Sequence, residues 1–524
     1  MLSAWTGRSA CALQSAFRFS NQGFAQKLGI SLRAVGTWHE KPDLQPQSSV
    51  QQLLDALLES APPAVKERFA QLTGTAAPVP TATPRFELTP TIAHRLDEDP
   101  HIRAALDWLD HRSGQRSGAS RQAVVDHLAR FDLHEVQAKA RQRARVNQQD
   151  IAAALNAYYG GRPTSTGLYE ARYGASHPAT TSVLTRPDWL DLDCPLGTRS
   201  DALDFSGIPA PEPPLTDEQA GHAVQRLATV LATNGRLTNL PLYRLTSADM
   251  RKGTVAGTLG TVPFIEYALT MDLLETELAN AIAAGQSLEP GSLPLRDLYL
   301  PDAASVLDLS SRLCAGGALA LCAIARPARP FHSEADYVLL IQERSSQVLN
   351  AAHRLAVIPK GFHQPMADYR ADARIGATLL REMEEELFGR EDIDNTMAEQ
   401  RSVDPMHPSR LSEPMSWLLA EPGRLRMECT GFGLNLVSGN YEFPCLIVIG
   451  DEDFWTRFGG QIEANWESQG LRQYSSLDRS FITELIGDVG WSNEGLFALL
   501  QGLRRLAQIG GSRVDLPSVE WEIT

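Results

Sequence analysis

Residues 381 to 386 read Arg-Glu-Met-Glu-Glu-Glu, placing four carboxylates and one guanidinium within six positions. On a helix advancing about 100° per residue, Glu385 falls roughly 60° to one side of Glu382 and Glu386 roughly 40° to the other, so these three acids share a face and Glu384 points away. Carboxylates crowded in this way repel one another unless positive charge sits among them. Arg381 is one turn from Glu385 and can pair with it, and a hard divalent cation such as Mg²⁺, which takes oxygen ligands, can serve the others. Glu382, Glu385 and Glu386 are therefore candidate metal ligands.

A second set of residues lies at the other end of the chain, from Phe19 to Trp38. Ser20 is a natural N-cap. Phe24, Ala25 and Leu28 form the inner face of a short helix, and Gly29 permits a sharp turn that Ile30 plugs. Ser31 caps a second helix whose Val35 and Trp38 face inward, leaving Leu32, Arg33, Gly36 and His39 outward. Residues 1–45 hold five basic and two acidic residues, and no acid occurs before Glu40. Such a stretch also suits an organelle transit peptide, but the ordered helix-turn pattern argues against that reading.

The elements needed to position these groups are visible around them. Leu380, Met383 and Leu387 form an apolar stripe that anchors the acidic helix to a core. Short apolar runs at Ala318–Ala325, Tyr337–Gln342, Leu355–Ile358, Leu434–Val437 and Cys445–Ile449 read as strands, the third leading into Pro359-Lys360-Gly361. Trp455, Trp466, Trp491 and a helix over Asn493–Leu506 complete a core. Val50–Leu72, with Leu53, Leu54, Leu57 and Leu58 at helical spacing, extends the amino-terminal bundle.

The two-helix segment resembles the helix-turn-helix of the Cro and phage-repressor family over about twenty residues. The resemblance implies that Leu32–His39 is a recognition helix in the major groove of double-stranded DNA, with Asn21 near a phosphate, Arg33 near base edges and Ser31, Leu32, Gly36 and His39 on the same surface. It differs from the family pattern at Asn21, where Gln is usual. A module this small generally reads two half-sites, which predicts a homodimer.

Strand, Pro-x-Gly turn, loop, acidic helix and further strands resemble the Nudix hydrolase family, whose box is G-x5-E-x7-R-E-U-x-E-E-x-G-U with U apolar. Arg381, Glu382, Met383, Glu385 and Glu386 match its R-E-U-x-E-E core. In strict register the remaining box positions fall on Ala367, Ala373, Phe388 and Gly389; taking Gly361 as the box Gly lengthens the loop by six residues. The resemblance implies an α/β/α sandwich with a mixed sheet that binds a nucleoside diphosphate linked to another group. It also implies catalytic roles: Glu385 and Glu386 as principal Mg²⁺ ligands, Glu382 as a further ligand or base, and Arg381 as their orienting partner. His363, Asp368 and Asp372 are substitutes within the long loop.

With 524 residues and a net charge of −15, the chain is too long for one ordinary core and too acidic to coat nucleic acid over its whole surface. The six scattered cysteines show no metal spacing and read as reduced core thiols of a cytoplasmic protein, and no apolar run is long enough to span a membrane. The expected layout is multidomain α+β: a helix-turn-helix bundle over 1–72, a Pro-rich linker over 73–100, a helical module over 101–160, a mixed region over 161–300 with a helix near Ile265–Ala284, and the Nudix-like domain over 301–524. Arg141, Arg143 and Arg145 read as a solvated basic face in preference to a second DNA contact. The leading expectation is a transcriptional regulator that senses a nucleotide-diphosphate-type molecule; the alternatives are a Mg²⁺-dependent diphosphohydrolase with an amino-terminal targeting module, and a protein-binding scaffold.

Overall fold

The structure, a computed structural model, describes residues 5–17, 19–59, 61, 63–73, 89–161, 165–207, 214–328, 334–344, 354–390, 404–459, 462 and 468–524. The chain divides into two compact units, Met1–Arg85 and Phe86–Thr524.

Among its described residues the first unit is helical. Its helices are α1 (Gly7–Phe17), α2 (Asn21–Leu28), α3 (Leu32–Glu40), α4 (Ser48–Glu59) and α5 (Pro63–Thr73). Trp5, Leu13, Phe24, Leu28, Val35, Trp38, Leu54 and Phe69 form its buried core, so the inward residues expected of the helix pair are inward. The α2–α3 turn passes through Gly29 at φ +66°, a left-handed conformation that a side chain would strain. Leu54 and Leu57 are buried, but Leu53 is 43% exposed, because it falls outside the buried face of α4.

In the second unit the proline-rich stretch differs from the linker expected through Pro100. Residues 74–88 lie outside the described residues, and from Thr89 onward the chain is helical: α6 (Pro90–Glu98) and α7 (Pro100–Arg112). Each starts with proline at its first position, where the missing N–H costs no hydrogen bond, and Thr89 and Asp99 cap them. They pack with α8 (Ala119–Leu128) and the helix Asp217–Ala232 around Leu106, Leu128 and Leu227. Helix α9 (Leu133–Arg143) has no fully buried residue; Arg141 and Arg145 are exposed, whereas Arg143 is half-buried and donates to Asn280 Oδ1 at 3.0 Å. The helix expected near Ile265–Ala284 is two, Phe264–Leu269 and Leu273–Ala283.

Strands enter before residue 300 as well as after it. They are β1 (Gly167–Tyr173), β2 (His177–Thr185), β3 (Leu190–Pro195), β4 (Asp201–Phe205), β5 (Pro241–Arg251), β6 (Thr254–Pro263), β7 (Gly316–Arg326), β8 (Asp336–Arg344), β9 (Leu355–Val357), β10 (Lys360–Phe362), β11 (Leu425–Gly431), β12 (Gly433–Asn435), β13 (Tyr441–Ile449), β14 (Ser468–Ser475) and β15 (Val519–Ile523). Among the described residues the large mixed sheet runs β14-β8-β7-β13-β12-β2-β1-β15, with β10 on β7, β9 on β8, β11 on β13 and β3 on β11. Within it β7 and β13 pair in parallel, and β7 and β8 antiparallel. Strands β4, β6 and β5 make a small second sheet. The sequence boundaries at 100, 160 and 300 thus fall inside one unit, whose sheet joins strands from both sides of position 300.

Strand β7 is buried on both faces, which is why it reads as a continuous apolar run. Ala318, Ala320, Cys322 and Ile324 join the core that holds Leu379, Met383 and Leu387 of the acidic segment. Leu319, Leu321, Ala323 and Ala325 join Leu496, Leu499 and Leu503 of the helix Asn493–Ile509 on the opposite face. The sheet is therefore sandwiched between helices. All six cysteines are free thiols, five of them buried. Among the described residues no helix is long and apolar enough to cross a membrane.

Candidate functional site

The acidic segment begins as an α-helix, Ile375–Glu382, and widens into a π-turn over Met383–Leu387, closed by the Phe388 N–H donating to the Met383 carbonyl at 3.1 Å. An i→i+5 turn abandons the 100° phase, so the acids are redistributed. Glu384, which the helical spacing turns away from the other three acids, is fully buried and accepts from the Ser412 N–H at 2.9 Å, with Arg390 at 3.7 Å.

Strand β10, following the cis Ile358–Pro359 bond, lies against two of the other three, Glu382 and Glu386. Glu386 Oε2 accepts the Lys360 N–H at 2.7 Å, and Gln342 Nε2 lies 3.4 Å from its Oε1. Gly361 lies against Glu382, where a Cβ would fall 2.0 Å from the carboxylate. Arg381 pairs with Glu382 and reaches Glu385 Oε1 at 3.6 Å, while donating to the carbonyls of Phe362 at 2.8 Å and Gln364 at 3.3 Å. The expected Arg381–Glu385 pair is thus present. Among the described residues no three His, Cys, Asp or Glu side chains are grouped as a metal cage. This arrangement suits carboxylates neutralised by the chain itself.

Glu382 and Glu385 line a cavity of about 210 Å³. The same cavity is lined by Arg236, Arg344, Arg354 and Lys360, by the rings of Phe264, Phe362 and Trp491, and by Asn435, Glu442 and Glu494. Lys360 Nζ is 2.5 Å from Glu494 Oε1. Asn435 Nδ2 donates to Glu494 Oε2 at 3.2 Å and toward Glu442 Oε1 at 3.4 Å, while its own Oδ1 accepts from Val437 N–H at 3.0 Å. Two buried carboxylates share one lysine. Burial, then the charge of Glu494, push the Glu442 carboxyl up to about 8, against the opposing pull of Lys360. Glu494 also meets the penalty of burial, but Lys360 outweighs it and holds its pKa below the ordinary value.

The loop substitutes do other work. His363 is buried with Nδ1 3.1 Å from the Tyr441 hydroxyl, and burial followed by Arg381 drives its pKa down to about 3. Asp372 Oδ2 accepts the N–H groups of Met366, Ala367 and Asp368 at 2.8–3.0 Å, and Asp368 Oδ1 those of Arg370 and Ala371, so both acids shape the loop.

In the first unit, Ser31 Oγ accepts the Ala34 N–H at 3.2 Å and starts α3. Arg33 is exposed, Gly36 is half-buried, and a Cβ at Gly36 would meet nothing within 4 Å. The side chain of Leu32 lies outside the described residues. Asn21 and His39, far apart in the segment, meet at one buried residue: Gln14 Nε2 donates to Asn21 Oδ1 at 2.7 Å, and Gln14 Oε1 is 3.0 Å from His39 Nε2. Ser20, Asn21, Lys27, Ser31, Arg33 and His39 are all exposed.

The chain matches no protein-family model and no curated protein. The site therefore rests on its own residues. Of the three candidate metal ligands, Glu382 and Glu385 line the cavity and Glu386 does not, while the sequence did not single out Arg236, Arg344, Arg354, Asn435, Glu442 or Glu494. One signal was available: Glu442 is the lone charge in the apolar run Tyr441–Ile449, and a buried strand retains such a charge only where something answers it.

Proposed function

We propose that the chain is a DNA-binding transcriptional regulator, acting as a homodimer, whose second unit is a Nudix-like sensor of a nucleotide-diphosphate-type ligand. The observation that carries this reading is the cavity at the acidic segment, where arginines and aromatic rings face the same space as Glu382 and Glu385, which pair with Arg381, and Glu494, which pairs with Lys360. Guanidinium groups suit phosphate and rings suit a base, so the cavity matches a nucleotide's two ends. The exposed Arg33 and capped α3 in a basic segment support the DNA half of the reading. Occupancy would shift DNA affinity through a coupling of ~1–3 kcal/mol, and the coupling is reciprocal.

The hydrolase reading is favoured by one fact, that Glu382 and Glu385 reach the cavity. In that reading Mg²⁺ arriving with the diphosphate must displace Arg381 from both acids. Calorimetry with a panel of nucleoside diphosphates, run beside a phosphate-release assay with Mg²⁺, tests the choice. Binding without turnover is expected; turnover abolished by Glu385→Gln would replace the sensor with an enzyme.

A further inference from the structure

In the first unit one buried amide ties three partners together, and the direction of each bond is fixed. Gln14, on the inner side of α1 and only 5% exposed, donates from Nε2 to the Phe19 carbonyl at 3.1 Å and to Asn21 Oδ1 at 2.7 Å, and its Oε1 lies 3.0 Å from His39 Nε2. A carbonyl only accepts, so Phe19 orients the Gln14 amide with its nitrogen toward Phe19 and Asn21 and its oxygen toward His39. Two further orientations follow. Asn21 presents its oxygen inward, which turns Nδ2 and its two N–H groups away from Gln14, and His39 carries a proton on Nε2, which leaves Nδ1. Asn21 and His39 are both exposed, and among the described residues no hydrogen-bond partner meets Asn21 Nδ2 or His39 Nδ1.

These bonds act on the surface more than on the core. A buried amide costs free energy unless its donors and acceptor are met, a cost that an apolar side chain at this inward position would avoid. Exposed Asn21 and His39 can equally bond water, so tying them to Gln14 adds little to folding and instead holds two surface groups in one orientation. Groups ordered in the free protein need not be ordered at the moment of binding. They stand at the first residue of α2 and in the last turn of α3, so one amide governs both helices of the pair.

We infer that Gln14 is a positioning residue of the DNA-binding face: from inside the bundle it aims the N–H groups of Asn21 outward at a backbone phosphate and holds His39 in its Nε2–H form. This rests on the reading of α2 and α3 as a DNA-binding pair. Amide N–H groups donate to phosphate oxygens, whereas an outward amide oxygen would be repelled by them.

The test uses the full chain and a fluorescein-labelled duplex of random sequence at low salt, where phosphate contacts act whatever the sequence. Gln14→Met, which keeps the length of the side chain and loses its amide, weakens binding about fivefold by anisotropy, the size of one lost hydrogen bond. In an Asn21→Ala/His39→Ala background the same change has no further effect. Equal weakening in both backgrounds would show that Gln14 only holds the bundle together, overturning the inference while DNA binding by the pair survives. Two readouts stand even where Gln14→Met does not fold. Asn21→Asp still offers an oxygen to Gln14, so its thermal melt matches that of the unaltered chain, while its second oxygen meets the phosphate and binding falls about tenfold; a lowered melt would place the Asn21 nitrogen against Gln14 and overturn the inference. In the unaltered chain carrying isotope-labelled histidine, nitrogen NMR finds the neutral His39 ring, identified by the signal missing from His39→Ala, protonated on Nε2; a proton on Nδ1 would overturn it equally. If the unaltered chain binds no duplex at all, the inference falls together with the DNA-binding reading.

Discussion

The two units handle charge in opposite ways. On α3 the charged and polar candidates stand on the surface of a small bundle, where Arg33 is exposed and no packing depends on it. Around the acidic segment, Arg381, Glu382, Glu384, Glu385 and Glu386 are all buried, and each is tied to a partner from another part of the chain or to its neighbour. A surface charge is free to meet a ligand at little structural cost, whereas a buried one is first part of the fold. Function and stability should therefore separate cleanly in the first unit and stay entangled in the second.

The largest expected effect comes from Arg381→Met. It leaves Glu382 and Glu385 buried without their cation and should destabilise the second unit by about 3–5 kcal/mol in urea unfolding, with the first unit's transition unmoved. A loss below about 1 kcal/mol would mean that the acids are solvated and that the contrast between the units is weaker than described. Next comes Arg33→Ala, which should cost roughly 1–3 kcal/mol of operator binding by fluorescence anisotropy. Its effect on thermal stability should stay within about 0.5 kcal/mol.

These two predictions mark where the chain was readable. The α2–α3 pair declares itself because its caps, turn glycine and inward residues all lie within twenty positions and obey one helical period. The cavity draws Arg236, Arg344, Arg354, Asn435, Glu442 and Glu494 from loops, strands and a helix some 260 residues apart, and no local period records that meeting. The acidic segment was half legible: its apolar stripe and its Arg381–Glu385 pair follow from helical spacing, but the π-turn over Met383–Leu387 does not. Strands β1 to β6 passed unseen because several are short and mix polar with apolar residues, so that pairing partners and not periodicity define them.

Glu442→Gln sharpens the comparison through pH. The folded state holds the Glu442 proton to about 8, while the unfolded chain releases it near the ordinary glutamate value of ~4.3. Between those values the native state binds more protons, so this residue makes stability fall as pH rises, by up to about 1.4 kcal/mol per unit. Gln carries no titrating proton, so the variant should lose that downward slope between pH 5 and 8; an unchanged slope would place the charge elsewhere. The smallest effect is expected from Gly36→Ala. The added methyl meets nothing and should stabilise α3 by up to ~1 kcal/mol in thermal melts, while operator affinity falls if base edges approach that surface closely.

The most direct measurement is operator affinity of the full chain by anisotropy, titrated with and without a nucleoside diphosphate that calorimetry has found to bind. A regulator predicts a change in Kd of about 5- to 150-fold at saturating ligand, with the same factor recovered when ligand affinity is measured with and without DNA. DNA affinity indifferent to a ligand that demonstrably occupies the cavity would contradict it.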